Sequence, residues 1–346
     1  MKVALQISAT KSDHQFRGIG FYTKYLATSL EKIADKDFEL VTFSEQIPKA
    51  DLYHFPAFTP FFFNFPLQLV AKSVITIHDL IPLDFPEAYP SGIKGQLRWQ
   101  IQRLLLPQAK HIITDSKASK QSILKHTSIN QNKISVVYLG VNPDCKIIND
   151  QKQLTKIVKK FSLPREFVLY VGDLNWNKNV IALAQSCIDL SIPLVVVGKQ
   201  ALAKNFDPNH VEDQVALAFQ KLAGQYHNLV RCLGYVENQD LVALYNLATM
   251  LVFPSKAEGF GLPVLDAMVC GCPVLTSSVS SLPEVGGDAV YYIDPFKKES
   301  LKKGLQTLWQ DKKLRSKLSK KGLVQAQKFS WEKTAQEMVS IYRQVN

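Results

Sequence analysis

The sequence predicts an α/β protein built of two consecutive doubly wound domains. Three observations predict it. Short aliphatic runs alternate with helix-length amphipathic segments, and the rhythm restarts near Phe167 after a polar, basic stretch. The chain of 346 residues, 46% of them hydrophobic, is also long enough for two cores. In the first half VALQI reads as a buried strand, FYTKYLATSLEKIA as a helix and FELVTF as a second strand. SVITIH and HIITD follow, each trailed by a turn or a helical stretch. NDQKQLTKIVKKFSLPRE holds no apolar strand and reads as a linker ending near Pro164. Beyond it come FVLYVG, PLVVVG, LVRCLG, MLVFPS, PVLTS and AVYYI. After Tyr292 the chain turns helical, and Ser330 is placed to N-cap WEKTAQEMVSIYRQV. The domains are therefore expected over residues 1–160 and 161–330. Ligands in such sheets bind at the carboxyl ends of the strands, so two facing sheets imply a cleft between the domains.

Composition narrows the function without choosing it. Forty-one basic against 30 acidic side chains give +11, which favours an anionic ligand, nucleic acid or an acidic membrane surface. The five cysteines form no CxxC pair and lack clustered histidines, so no zinc site is expected and a reducing cytoplasm is the simplest setting. MKVALQIS is too short in its apolar part for a signal peptide. The long uncharged stretch from Leu52 to Ala71 carries Pro56, Pro60 and Pro66, which would break a spanning helix. Asp35 and Asp37 read as a solvated turn. The lysine-rich tail from Lys297 to Lys333 lacks any RNP, KH or helix-turn-helix pattern, so no nucleic-acid partner is expected. Residues 94–133 carry eight bases against the single acid Asp115. At the start of this region Ile93, Leu97, Ile101 and Leu104 form a helical stripe expected to face the core, with a basic face available to anionic headgroups. The phenylalanine-rich AFTPFFFNFPLQL either lines an acceptor groove or packs against its domain.

The most informative segment is FPSKAEGFGLPVLDAMVCGCPVLTS, residues 253–277. A strand ends at Phe253, a loop holds Gly259 and Gly261, Pro263 fits the start of a helix and Gly271 its end. Backbone N–H groups near Phe260, Gly261 and Leu262, added to the positive helix end, suit phosphate oxygens. Glu258 precedes this point and Asp266 lies one turn inside the helix. One carboxylate can face a sugar and the other a ribose, each accepting hydroxyl hydrogen bonds. A loop acid and a favourable first-turn charge would explain the same two residues without a ligand.

The stretch EGFGLPVLDAMVCGCPVLTSSVSSLPEVGGDAVYYIDP closely resembles the nucleotide-binding signature of the retaining glycosyltransferases of family 4, which have the GT-B fold of two Rossmann-like domains. That family places two glutamates on either side of seven residues; here Glu258 is followed by seven residues and then by Asp266. YVGDLNWNKNV resembles the family's phosphate loop, keeping Lys178 of its basic pair with Asn177 in the other place and Asp173 where some members carry arginine. RGIGFYTKYL is similar to the glycine loop that approaches the donor diphosphate, through Gly18 and Gly20. ITIHDLIPLDFPE matches the segment whose histidine, here His78, reaches the transferred sugar. CLGYVENQDLVALY resembles the segment that meets the base, around Tyr235 and Val236.

The resemblance implies a metal-independent enzyme without a cofactor, moving a hexosyl group, such as mannosyl or glucosyl, from a nucleotide-diphosphate sugar to a saccharide or lipid-linked acceptor in polysaccharide or glycoconjugate synthesis. It further implies that the final helix, 331–346, returns to the first domain. His78, Lys178 and Glu258 would be catalytic. Gly18, Gly20, Lys178, Phe260, Gly261 and Leu262 would hold the diphosphate, and Tyr235, Val236 and Asp266 the nucleoside. The expected place is the cytoplasm, at the inner face of an anionic membrane. Alternatives on the same fold are a phosphorylase, an epimerase and a non-catalytic nucleotide-sugar-binding subunit.

Overall fold

In the computed structural model, which describes residues 1–11, 18–207 and 211–346, the aliphatic runs are short parallel strands, the central ones buried. The chain divides into two units, Met1–Gly140 with Phe329–Asn346, and Val141–Lys328.

The first unit contains β1 (Lys2–Gln6), α1 (Gly18–Lys32), β2 (Glu39–Phe43), β3 (Leu52–Phe55), β4 (Ser73–Thr76), α2 (Ile81–Asp84), α3 (Gly92–Leu105), β5 (His111–Thr114), α4 (Lys117–His126) and β6 (Ile134–Val136). Its strands lie in the order β2-β1-β3-β4-β5-β6, every pair parallel. β3, β4 and β5 are buried along their whole length, as central parallel strands covered on both faces must be.

The second unit contains α5 (Gln151–Phe161), β7 (Val168–Val171), α6 (Val180–Asp189), β8 (Leu194–Val197), α7 (Val211–Gln225), β9 (Val230–Gly234), α8 (Asn238–Leu247) and β10 (Met250–Phe253). It continues with α9 (Leu262–Val269), β11 (Val274–Ser277), α10 (Leu282–Gly286), β12 (Tyr291–Ile293), α11 (Lys298–Gln310) and α12 (Lys312–Ala326). Its sheet runs β12-β11-β10-β7-β8-β9, again parallel throughout. α13 (Trp331–Val345) belongs to the first unit, and its N-cap Ser330 accepts the Lys333 N–H.

Three expectations are corrected here. The division falls at Gly140 and not near residue 160. The stretch read as a linker is α5, capped by Asp150 and burying Leu154 and Ile157. It is fastened to the second unit by Lys160 on Asp240 at 2.5 Å and by Arg231 donating to the Phe161 carbonyl at 2.9 Å. Second, Gly18 and Gly20 stand in the first turn of α1 and not in a loop; Arg17, the residue before them, lies outside the described residues. Third, the stripe Ile93, Leu97, Ile101 and Leu104 faces outward, because α3 packs through Gly95, Trp99 and Gln102 instead.

Candidate active site

Chain order fixes where the second unit can bind a ligand. From β7 the chain moves outward to β8 and β9, then returns to the other side of β7 for β10, β11 and β12. The direction therefore switches between β7 and β10, and a crevice opens at their carboxyl ends. The two loops that leave those ends carry Lys178 and Glu258. Lys178 closes a single turn of 3-10 helix (Trp176–Lys178), and its Nζ donates to both Glu258 oxygens, at 2.8 and 2.9 Å. The same ammonium stands 5.4 Å from the Phe253 ring centroid. Both partners are largely covered, with side-chain exposures of 19% and 9%. One bidentate ion pair thus spans the switch point.

The loops are held by neutral hydrogen bonds. Asn177 is buried, donates from Nδ2 to the Ala257 carbonyl at 2.9 Å, and accepts the Lys256 N–H on its own carbonyl at 2.7 Å. The side chain that stands in the other place of the family's basic pair is therefore a staple between the two loops. Ser280 Oγ donates to the Glu258 carbonyl at 2.6 Å, and Ser281 Oγ reaches the carbonyls of Glu258 and Phe260 at 3.0 and 2.7 Å. These bonds fix the main chain on either side of the glutamate.

Gly261 has φ +115°, a left-handed value that favours glycine, and a Cβ there would stand 2.8 Å from Leu282 Cδ2. It opens α9, with Pro263 in the first turn and Phe260 buried beside it. The N–H groups of Val264 and Leu265 bond to the Gly261 carbonyl, so those of Gly261 and Leu262 lie ahead of the intrahelical ladder, where an anion is favoured. Asp266 accepts the Asn142 N–H at 3.1 Å. Burial pushes its carboxyl up to about 7, against the pull of that amide. Tyr235 is 46% exposed in the turn between β9 and α8, whereas Val236 is buried.

In the first unit His78 and Asp115 leave the carboxyl ends of β4 and β5. His78 Nδ1 lies 2.5 Å from Asp115 Oδ2, and Nε2 lies 3.0 Å from the Pro56 carbonyl. A carbonyl can only accept, so Nε2 carries hydrogen. Burial alone would drive the proton off His78, but the charge and hydrogen bond of Asp115, with Asp79 and the Pro56 carbonyl, outweigh it and hold the imidazole above its usual range. Tyr22 of α1 packs edge-on to the ring at 4.6 Å. Gly20 is buried two residues before that tyrosine, while Gly18 is exposed.

Two residues, one in each unit, escaped the sequence reading. Asp115 orients His78 from another strand, 37 residues away, and no local spacing signals such a pair. Lys256, two residues before Glu258, lies over the Trp176 ring at 4.2 Å, and burial lowers its pKa. Its cue was present in SKAEGF but looked like one more surface lysine. Among the described residues no three His, Cys, Asp or Glu side chains stand together as metal ligands.

Two parallel doubly wound units, the second with a cation and a carboxylate at its switch point, define the GT-B architecture of nucleotide-sugar enzymes. The chain belongs to that fold's family 4, group 1 glycosyltransferases: residues 151–324 match "Glycosyl transferases group 1" and residues 17–145 match "Glycosyltransferase Family 4". It is a glycosyltransferase. It is similar to the O-antigen chain mannosyltransferase B of Escherichia coli, with 32% identity over 301 residues that cover 84% of this chain and 74% of the relative. It is 30% identical over 265 residues to an Escherichia coli serotype-specific mannosyltransferase, WbdA; the match covers 76% of this chain but only 32% of that longer protein. Among solved structures, sucrose-phosphate synthase from Thermosynechococcus elongatus superposes with a TM-score of 0.78 at 18% identity, over 100% of this chain and 99% of that one. Anabaena Alr3699/HepE in complex with UDP and glucose gives 0.76 at 16% identity, over 99% and 100%.

Proposed function

We propose that this chain transfers a hexosyl group, mannosyl first among the candidates, from a nucleoside-diphosphate sugar to a saccharide or lipid-linked acceptor. The transfer would retain the anomeric configuration and need no metal, and would serve cell-surface polysaccharide synthesis at the cytoplasmic face of an anionic membrane. The mannosyltransferase relatives support the sugar and the pathway class, and the neighbour holding UDP and glucose supports the donor class.

The observation that carries the reading is the Lys178–Glu258 pair across the switch point. An incoming diphosphate competes with Glu258 for the ammonium and satisfies it with two negative charges. Glu258 is then released to accept hydrogen bonds from sugar hydroxyls. The pair thus stores both groups in the site without leaving either buried charge unpaired. As the bond from the anomeric carbon to the diphosphate oxygen breaks, negative charge grows on the phosphate and positive charge on the sugar. Lys178 and the amides of Gly261 and Leu262 meet the first. The departing phosphate oxygen takes the acceptor hydroxyl's proton, and the acceptor oxygen bonds to carbon on the face just vacated. His78, its Nε2–H fixed toward the Pro56 carbonyl, contributes a positive group to the sugar side. Tyr235, the Val236 backbone and Asp266 hold base and ribose.

The test is turnover with GDP-mannose and UDP-glucose, with and without acceptor, followed by NMR of the product's anomeric proton. The product is expected to keep the donor's configuration, in chelator as well as without. Lys178→Ala should lower kcat about 100-fold, since the charge it meets grows in the transition state. An inverted product overturns retention, and unchanged turnover in the variant removes Lys178 from the leaving-group role. Free sugar phosphate formed from phosphate and glycoside would mark a phosphorylase instead.

A further inference from the structure

The helix α3 turns one face inward and an unpartnered apolar face outward. Inward lie Gly95, against Phe61, with Trp99 and Gln102; the amide of Gln102 donates to the carbonyls of Thr59 and Pro60 at 3.2 and 2.8 Å. Outward lie Ile93, Leu97 and Leu104, exposed by 90%, 63% and 75%, with Ile101 beside them. At about 100° per residue these four fall on a single stripe opposite the packed face. The exposed rings of Phe62 and Phe63 lie close by, Arg98 standing 5.7 Å over the Phe62 ring and donating to the Phe61 carbonyl. An apolar patch of this size on a folded surface calls for a partner.

The flanking charges select the partner. Lys94 borders the stripe on one side and Arg103 on the other, both exposed, and Lys110 is exposed just beyond the helix. α3 itself carries no acid, and the one acid between residues 94 and 133, Asp115, is buried. A second copy of the chain docking face to face would bring these bases against their own kind. A bilayer offers hydrocarbon to the stripe and anionic headgroups to its rims at once. A helix of 14 residues is too short to span one but long enough to lie in its interface.

We propose that α3, with Phe62 and Phe63, seats the enzyme on an anionic lipid surface through Ile93, Leu97, Ile101 and Leu104. The inference assigns a surface to the membrane association proposed above and rests on that reading only for its purpose, which is to bring the site to a lipid-linked acceptor.

Co-sedimentation with vesicles of phosphatidylcholine and phosphatidylglycerol tests it. The whole chain should bind these vesicles, bind pure phosphatidylcholine weakly, and release with salt. The double variant Leu97→Gln/Leu104→Gln should lose about tenfold or more of the affinity, and Lys94→Glu/Arg103→Glu should weaken binding only where anionic lipid is present. Light scattering on the same proteins follows self-association. Equal vesicle binding by the Gln variant, no binding by the parent chain, or a dimer abolished by the substitutions would each overturn the proposal. Nucleotide binding and turnover on a soluble acceptor should be the same in all three proteins. Their loss in the parent chain would count against the transferase reading, not against the membrane face.

Discussion

At the scale of single residues, Asp266 joins an unusual proton affinity to a proposed ligand. Its carboxyl is lifted to about 7 by burial, with the Asn142 amide pulling the other way. Ribose hydroxyls donate to a carboxylate and gain less from a carboxylic acid. Nucleoside-diphosphate affinity should therefore rise with pH through about 7 and fall by about tenfold for each unit below it. Asp266→Asn should bind nucleotide weakly with no such dependence, a contrast calorimetry can measure. Stability runs the opposite way. A carboxyl whose folded pKa is raised favours the fold at low pH and loses that contribution as pH climbs from the ordinary aspartate range through about 7. The Asn variant should accordingly gain on the parent at pH 8 and not at pH 4. A variant that binds as tightly as the parent at pH 8 would remove Asp266 from the nucleotide site.

At the scale of elements, the site depends on two loops being held in register by Asn177. Asn177→Ala would strip the Ala257 carbonyl of its buried partner, a loss of about 1–3 kcal/mol. The mobility gained by the 254–261 loop should raise the donor KM by more than that of acceptor. Urea unfolding and steady-state kinetics would read the two effects separately, and an unchanged midpoint would show that the staple carries no weight. The same residue marks the limit of sequence reading. The strands and α9 with its glycine loop were legible, because each rests on local pattern or on glycine and proline chemistry; Lys178 and Glu258 were named singly, and their ion pair across 80 residues was not foreseen. What Asn177 does was not legible, since its partner lies 80 residues away and a one-residue change from a family pattern looks like a loss. The linker reading failed for a similar reason. α5 buries little more than Leu154 and Ile157 among lysines and glutamines, and the partner face on α8 is remote in sequence. α3 misled in the other direction: its clean apolar stripe obeys the helical period but faces outward, while its packing uses glycine, tryptophan and glutamine. Periodicity tells that a face is apolar and not what covers it.

At the scale of the whole molecule, the last helix completes the first unit, though it is nearly 190 residues removed from the unit's other segments. α13 buries Trp331, Ala335, Met338, Ile341 and Tyr342, and Gly140 allows the approach, since a Cβ there would lie 2.3 Å from the Trp331 nitrogen. The polar part of this closure is a buried chain. Tyr342 Oη lies 2.6 Å from His54 Nδ1, His54 Nε2 lies 2.8 Å from Thr76 Oγ1, and Thr76 Oγ1 meets the Tyr22 hydroxyl at 3.1 Å. Tyr22 in turn packs on the His78 ring, so the C-terminal helix and His78 share one network. Burial, with the nearby charge of His78, lowers the His54 pKa to about 3. Between that value and about 6.5 the unfolded chain binds a proton at His54 that the folded chain refuses. His54 therefore favours the fold fully above pH 6.5 and withdraws that contribution as pH falls toward 3, by about 1.4 kcal/mol per unit. His78 and Asp266, both shifted upward, act in the opposite direction and mask this slope in the parent protein. The difference between the parent and His54→Gln isolates it. The variant should be less stable at pH 7, by about 1–3 kcal/mol for the broken buried bonds. Its deficit should shrink as pH drops to 5, because it no longer has a proton to exclude. Urea midpoints at the two pH values measure both quantities, and a deficit that stays constant would mean that His54 is protonated within the folded unit.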